Sequence, residues 1–130
     1  MSAKEVKDDR RYTKDHEWAK EHDGVITVGI TAFAVDQLGD ITLVDLAKEG
    51  DQITKGQRFG TVESVKSVSD LYAPVSGRVI TINTALKDSP EDVNSDPYGK
   101  GWMIEVAPND KQELDELMTA EAYAAHVAAQ

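Results

Sequence analysis

Alternation of apolar and polar residues is the clearest pattern in this chain, and it predicts short β-strands. Residues 24–31 would place Ile26, Val28 and Ile30 on one face of a strand and small residues on the other. Residues 41–46 are β-branched and apolar enough to form another strand. Turn residues recur roughly every ten positions, which favours a barrel or sandwich over alternating strands and helices.

Helices are predicted in few places, so the fold class is mostly β. A short helix is expected over residues 32–38, ended by Gly39 with a left-handed backbone, and further helices are expected near the C-terminus. Residues that can cap these helices at their N-termini are Thr31, Asp110 with Glu113 as its partner, and Thr119.

Four other segments complete the expected layout. Residues 12–19 are predicted to form one short strand, and residues 79–83 and 102–106 two more. Between the last two, residues 84–101 are rich in Asp, Ser, Pro, Asn and Gly. This composition predicts a long irregular loop, of the kind that often forms a functional surface.

A near-palindrome predicts a β-hairpin centred on Lys66 and Ser67. Opposed residues in an antiparallel pair point to the same face, so one face would combine two apolar residues with two serines, and the other would combine two valines with two acids. The expected pairs are Val65 with Val68, Ser64 with Ser69, Glu63 with Asp70, and Val62 with Leu71.

This hairpin departs from two local rules. A two-residue loop prefers glycine or asparagine because its residues need positive φ, and Lys66-Ser67 supplies neither, so the turn must be of another type or strained. Glu63 opposite Asp70 would place like charges side by side, at a cost of about 0.2–1 kcal/mol. Such departures at a hairpin tip indicate function, which makes Lys66 the candidate to carry chemistry.

The charge of the chain restricts its partners. The chain has 130 residues and a formal charge of −10. This charge repels phosphate groups and anionic lipids, so binding to nucleic acid or membranes is not expected. Protein partners with basic surfaces are expected instead. We expect a flexible N-terminal tail, residues 1–11, and a single domain, residues 12–130. Without a recognisable targeting or membrane-spanning segment, the bacterial cytoplasm is the expected location.

The usual catalytic and metal-binding motifs are not found, and no catalytic or metal-binding residue is predicted. There is no cysteine and no serine in a Gly-x-Ser-x-Gly elbow. His16 and Glu17 would begin a helical zinc motif, but its second histidine would fall at Lys20. The glycines fit neither a dinucleotide nor a phosphate loop. The residues therefore favour a carrier over an enzyme.

The hairpin resembles the lipoyl-lysine hairpin of the glycine cleavage H-protein family. The likeness rests on residues 62–66 and 69–77 and covers all but the N-terminal tail. Ala47, where the family commonly has proline, departs from the pattern in loop detail only. Further motifs in the family's order are Tyr12-Thr13, His16-Glu17-Trp18, Val28-Gly29-Ile30-Thr31, Leu38-Gly39-Asp40, Val93-Asn94, Asp96-Pro97-Tyr98 and Gly101-Trp102.

The resemblance implies a flattened, lipoyl/biotinyl-domain-like β-barrel (a barrel-sandwich hybrid) with lipoate joined to Lys66 by an amide bond. It also implies a monomeric carrier that takes an aminomethyl group from glycine decarboxylase (P protein). The tetrahydrofolate-dependent aminomethyltransferase (T protein) would remove that group, and dihydrolipoyl dehydrogenase (L protein) would reoxidise the arm. A lipoate ligase or lipoyl transferase would attach the cofactor.

The resemblance also implies cofactor-binding residues around the attachment point. Glu17 and Asp70 would line a surface groove in which carboxylates hold the protonated amine of the loaded arm. The alternative for Glu17, equally weighted, is that it caps or solubilises a strand end. Glu63 and Asp70 would serve recognition of either the ligase or the arm. The full set is Lys66, Glu63, Ser64, Val65, Asp70 and Glu17.

Two other functions stay open. A lipoate-relay carrier, which passes its lipoyl group to other complexes, would show the same hairpin. An unmodified acidic adaptor would bind partners through the long loop of residues 84–101 and carry no cofactor. Biotin carriers and the lipoyl domains of 2-oxo-acid dehydrogenases are disfavoured because Val65 and Ser67 flank the lysine here.

Overall fold

Strands dominate the structure, a computed structural model that describes residues 6–130. Its helices are α1 Ala32–Leu38, α2 Asp92–Ser95, α3 Gln112–Asp115 and α4 Ala120–Ala128, with a 3-10 helix at Thr84–Lys87. The strands are β1 Arg11–Tyr12, β2 Glu17–His22, β3 Val25–Ile30, β4 Ile41–Leu46, β5 Gln52–Ile53, β6 Arg58–Ser64, β7 Val68–Tyr72, β8 Gly77–Ile82 and β9 Ile104–Pro108.

The strands form two antiparallel sheets. One has six strands in the order β1-β2-β3-β9-β8-β5, and the other has three in the order β4-β6-β7. Their apolar side chains share one buried cluster, which includes Val28, Val62, Val79 and Ile104. The mostly β fold class is confirmed. Within residues 6–130 its flattened barrel takes the form of two sheets around a shared core, with no strand ladder between them.

A second apolar cluster fastens the C-terminal helix to β1. The rings of Tyr12 and Tyr123 stack with centroids 4.5 Å apart, and the Tyr123 hydroxyl lies 2.7 Å from Thr31 Oγ1. Thr119 Oγ1 accepts from the Ala122 N–H at 3.2 Å, which confirms the predicted cap of α4. In the described part of the chain, no helix has the length and apolar character needed to cross a membrane.

The cap and the end of α1 also follow the prediction. Thr31 Oγ1 accepts from the Ala34 N–H at 3.2 Å, and Gly39 has a φ of 77°. The capping pair predicted before α3 is only half present. Asp110 accepts from the Gln112 N–H, but the Glu113 carboxylate accepts from the Ser76 N–H at 2.7 Å instead.

Three expected segments differ from the structure. The single strand over residues 12–19 is wrong, because a turn with His16 at a φ of 74° separates β1 from β2. The loop of residues 84–101 contains two short helices. The predicted tail reaches too far, since Arg10 is buried against the Trp18 ring and β1 begins at residue 11. Residues 1–5 lie outside the described part.

Candidate functional site

The hairpin of β6 and β7 is present, but its register differs from the prediction by two residues. Glu63 and Asp70 do not face each other, so the expected like-charge pair is wrong. Because side chains alternate with a period of two, the shift leaves Val62 and Leu71 buried on the core face. The observed pairs include Glu63 with Val68, Val62 with Ser69, and Thr61 with Asp70.

This register leaves a four-residue turn, residues 64–67, at the tip. The Ser64 N–H donates to the Ser67 carbonyl at 2.8 Å, and Ser64 Oγ accepts from the Lys66 and Ser67 N–H groups at 3.2 Å each. Every turn residue has a negative φ, so the turn is of another type, as expected, and needs no glycine. The longer loop explains the register, because a two-residue loop would require positive φ.

Lys66 is exposed at this tip, which is attached to the segment after α1. The Val65 N–H donates to the Asp40 carbonyl at 3.1 Å, and the lysine stem lies over Gly39, where an added Cβ would be 3.4 Å from Lys66 Cε. Within residues 6–130 the Lys66 ammonium has no ion pair. The backbone is therefore held in place while the side chain is exposed.

Asn94 fixes the segment that supports the tip. From α2, its Oδ1 accepts from the Ile41 N–H at 2.9 Å and its Nδ2 donates to the Gly39 carbonyl at 2.8 Å. Sequence reasoning recognised Asn94 as part of a family motif but missed this role. A side chain in one segment that bonds two backbone groups more than 50 residues away leaves no signal in local spacing.

At the other end of β7, the foot of the hairpin, Glu17 is buried. Its Oε1 accepts from the Thr13 hydroxyl at 2.5 Å, and its Oε2 accepts from the Tyr72 N–H at 3.2 Å. Because β7 is an edge strand, this N–H has no strand partner on that side. Burial raises the pKa of Glu17 to about 7, although the two hydrogen bonds favour the ionised form.

A cleft of about 310 Å³ lies at this foot. Glu17 and Tyr72 line it, together with Met118 from the segment before α4. Lys55 and Glu116, which also line the cleft, form an ion pair with Nζ and Oε1 2.6 Å apart. Apolar walls and several ionisable side chains of both signs therefore surround this space.

The structure separates the predicted site residues into two groups. Glu63, Ser64 and Val65 lie beside Lys66 at the tip, whereas Glu17 lies at the foot. Asp70 is exposed between them, with Oδ1 3.8 Å from an Arg58 nitrogen and Oδ2 3.5 Å from the Tyr72 hydroxyl. Tyr72 forms hydrogen bonds with both, from its N–H to Glu17 and from its hydroxyl to Asp70. Glu17 does not solubilise a strand end, because it is buried, but its hydrogen bond to the Tyr72 N–H at the end of β7 fits the alternative that it caps a strand end.

Two of the three histidines meet near α4. The rings of His16 and His126 have centroids 5.7 Å apart, and His16 Nδ1 lies 2.8 Å from the Tyr123 hydroxyl. Burial and, secondarily, His126 lower the pKa of His16. Among residues 6–130, no three His, Cys, Asp or Glu side chains are grouped so that they could hold a metal ion. These histidines fasten α4 to the turn before β2.

Comparison with known proteins identifies the family. A family model described as "Glycine cleavage H-protein" matches residues 10–130. The chain belongs to the glycine cleavage H-protein family. A "Glycine cleavage system H protein" from Anaeromyxobacter sp. (strain K) is 52% identical over 123 residues, which are 95% of this chain and 96% of that protein. Another from Synechococcus sp. (strain JA-3-3Ab) is 55% identical over 117 residues, 90% and 91% of the two chains.

A solved member of the H-protein family has the same fold. The crystal structure of a glycine cleavage system H protein from Mycobacterium marinum superposes with a TM-score of 0.88 and 43% identity, covering 95% of this chain and 99% of that one. The resemblance drawn from the hairpin and its flanking motifs is confirmed. Membership at this coverage supports a lipoyl-bearing shuttle role in the glycine cleavage system.

Proposed function

We propose that this chain is a lipoyl-bearing shuttle of the glycine cleavage system and that Lys66 is the attachment residue. It carries its cargo as a non-catalytic subunit, in one carrier domain that follows the N-terminal residues. Family membership supports the shuttle role. The observation that carries the choice of residue is the exposed Lys66 on a turn whose backbone is bonded to Ser64 and, through Val65, to Asp40.

Lys66 fits an amide-linked lipoyl group. Acylation removes the ammonium charge, and because Lys66 has no ion pair within residues 6–130, no interaction of the fold is lost. Gly39 lies beneath the stem, where an added Cβ would be in ordinary van der Waals contact with Lys66 Cε at 3.4 Å, so the stem can move on that side. When bound, the lipoyl group supplies a disulfide and dithiol able to carry an aminomethyl group between enzymes.

The residues around Lys66 position its root. Ser64 bonds the backbone N–H groups of Lys66 and Ser67, and Val65 bonds Asp40, so the attachment point keeps a defined orientation while the lysine stem stays flexible. The proposed partners are the P, T and L proteins and a lipoate ligase or lipoyl transferase. The charge of −10 suits basic docking surfaces on these partners. A monomer in the bacterial cytoplasm stays a prediction.

We propose that the cleft at the foot receives the loaded arm. Strand β7 spans about 13 Å from Val68 at the tip to Tyr72 at the cleft. An unmodified lysine side chain is shorter than this distance, so only a lysine extended by a lipoyl group can reach the cleft. A protonated amine beside Glu17 would favour its ionised form and give a charge-assisted hydrogen bond. Asp70 lies on the path between tip and cleft. Glu17→Gln and Asp70→Asn should therefore shorten the lifetime of the aminomethylated form, and an unchanged lifetime in both would contradict this role.

Mass spectrometry of the intact protein after co-expression with a lipoate ligase tests the attachment. We expect a lipoyl-sized mass increase in the wild type and none in Lys66→Arg, which keeps the positive charge. The lipoylated wild type, and not the variant, should then support glycine cleavage by purified P, T and L proteins. A wild type without the mass increase would favour the unmodified acidic adaptor.

A further inference from the structure

An ion pair forms part of the wall of the cleft at the foot of the hairpin. Lys55 Nζ and Glu116 Oε1 are 2.6 Å apart, and both residues line the cleft together with Glu17. The Lys55 side chain is partly exposed and that of Glu116 is exposed. Because water reaches both charged groups, the pair adds little to stability, and either group can take a new partner at small cost.

Other bonds hold the backbones of these two residues. The Lys55 N–H donates to Ser76 Oγ at 2.8 Å, and the Ser76 N–H donates to the Glu113 carboxylate of α3 at 2.7 Å. Glu116 follows α3 directly. Helix α3 is therefore fastened to the segment before β8 by Glu113, and the ion pair is not needed to keep it there.

Glu17 alone does not satisfy a protonated amine in the cleft. Each of its oxygens already accepts a hydrogen bond, one from the Thr13 hydroxyl and one from the Tyr72 N–H. A primary ammonium group has three N–H donors. Within residues 6–130, the other carboxylates that line the cleft are Asp15 and Glu116, and of these Glu116 already pairs with an ammonium group.

We propose that Glu116 exchanges its cation when the arm is loaded, releasing Lys55 and binding the protonated amine of the aminomethyl group. This inference rests on the proposed function of the cleft. The Lys55 ammonium and the amine of the cargo have the same charge and the same donors, so each can satisfy Glu116. The disulfide and dithiol forms of the arm have no positive charge and leave the ion pair intact. The exchange therefore lets the cleft distinguish the loaded arm from the unloaded arm.

The lifetime of the aminomethylated form tests this exchange, because two substitutions should change it in opposite directions. Glu116→Gln removes the acceptor and should shorten the lifetime about threefold, whereas Lys55→Gln removes the competing cation and should lengthen it about threefold. The loaded form is prepared from lipoylated protein, glycine and purified P protein. Intact mass then measures how much of the aminomethyl group remains with time.

A second ion pair provides matched controls. Lys111 Nζ lies 3.4 Å from Glu21 Oε2, and neither residue lines the cleft. Lys111→Gln and Glu21→Gln should leave the lifetime within about 1.5-fold of wild type. Lys55→Gln and Glu116→Gln lose the same ion pair, so their unfolding temperatures should shift together although their lifetimes shift apart.

The double variant Lys55→Gln/Glu116→Gln distinguishes exchange from simple repulsion. If Lys55 competes for Glu116, its removal has no effect once Glu116 is replaced, and the double variant should behave as Glu116→Gln does. Additive effects of the two substitutions would mean that Lys55 repels the amine without sharing an acceptor with it. That result would contradict the exchange.

The outcomes also separate this inference from the proposed function. If Lys55→Gln and Glu116→Gln change the lifetime in the same direction, or not at all, the exchange is wrong. A shortened lifetime in Glu17→Gln would then leave the role of the cleft standing. If Glu17→Gln and Asp70→Asn also keep the wild-type lifetime, the cleft does not hold the arm. A wild type that accepts no lipoyl group overturns the proposed function itself.

Discussion

At the tip of the β6–β7 hairpin the side chains extend into solvent, whereas at its foot the carboxylate of Glu17 is buried. At the tip, backbone N–H groups are bonded locally to Ser64 Oγ and, from Val65, to the Asp40 carbonyl. The foot is held by a side chain, because the Glu17 carboxylate bonds the Tyr72 N–H of an edge strand. The exposed Lys66 side chain can therefore change without harm to the fold, while a change at Glu17 affects fold and chemistry together.

Lys66→Ala gives the sharpest test of the tip. We expect complete loss of lipoylation and of shuttle activity, with a free energy of unfolding within about 0.5 kcal/mol of wild type, because the side chain is exposed and has no ion pair in the described chain. Intact mass and urea unfolding measure the two effects. Lys48→Ala, at another exposed lysine, is the control and should retain activity. A large loss of stability in Lys66→Ala would show that the tip is structural.

At the foot, the pH dependence of stability should change in Glu17→Gln. The pKa of Glu17 rises on folding from 4.5 to about 7, so its contribution to stability is greatest below pH 4.5 and is lost as the pH rises through about 7. Between pH 4.5 and 8 the free energy of unfolding of the wild type should fall by about 3 kcal/mol because of this group. Glu17→Gln should not show this decrease. Urea unfolding at both pH values measures the difference. Identical pH profiles of stability for the wild type and Glu17→Gln would show that another group causes the dependence. Glu91→Gln, at an exposed position, is the control.

Asn94→Ala tests the support beneath the tip. The substitution leaves the Ile41 N–H and the Gly39 carbonyl without their partner, which should cost about 1–3 kcal/mol. Hydrogen exchange of the Val65 amide should become faster, since its acceptor Asp40 lies in the released segment. Ser95→Ala, an exposed position on the same helix, is the control. Unchanged exchange at Val65 would mean that the tip holds its position without Asn94.

The smallest effect is expected for Ser64→Ala. Its hydroxyl accepts from two N–H groups in an exposed turn, where water can replace it, so the loss of stability should stay below about 1 kcal/mol. Hydrogen exchange of the Lys66 and Ser67 amides should rise while the core amides stay protected. Ser69→Ala on β7 serves for comparison. Faster exchange of the core amides as well would show that the Ser64 hydroxyl stabilises the whole fold. This result would contradict the prediction that its hydrogen bonds affect only the turn.

Local patterns predicted many of the strands and helices and the exposed lysine. Helix α1, with its cap at Thr31 and its end at Gly39, follows from residues that are adjacent in sequence, and so does strand β4. The hairpin was also predicted, but the palindrome is compatible with registers two residues apart, and both keep Val62 on the core face. The choice between them depends on the backbone of the turn and on Ser64 Oγ, which the pairing pattern does not include.

Long-range contacts account for what the sequence did not predict. The bonds from Asn94 to the segment after α1 and from Glu17 to Tyr72 each join residues more than 50 positions apart. No periodicity encodes such contacts. Family resemblance, rather than residue chemistry, identified the lipoyl cargo, because an exposed lysine alone is equally compatible with a plain surface position.

The absence of positive φ values in the turn of residues 64–67 has a practical consequence. Any L-amino acid with an ordinary backbone preference can occupy Val65 or Ser67 without strain, so the identity of these residues is not restricted by the shape of the turn. The residues beside the lysine can therefore be substituted to suit a different modifying enzyme while the backbone of the turn stays the same. For protein engineering, the positions beside Lys66 can be varied while the hydrogen bonds of the turn are retained.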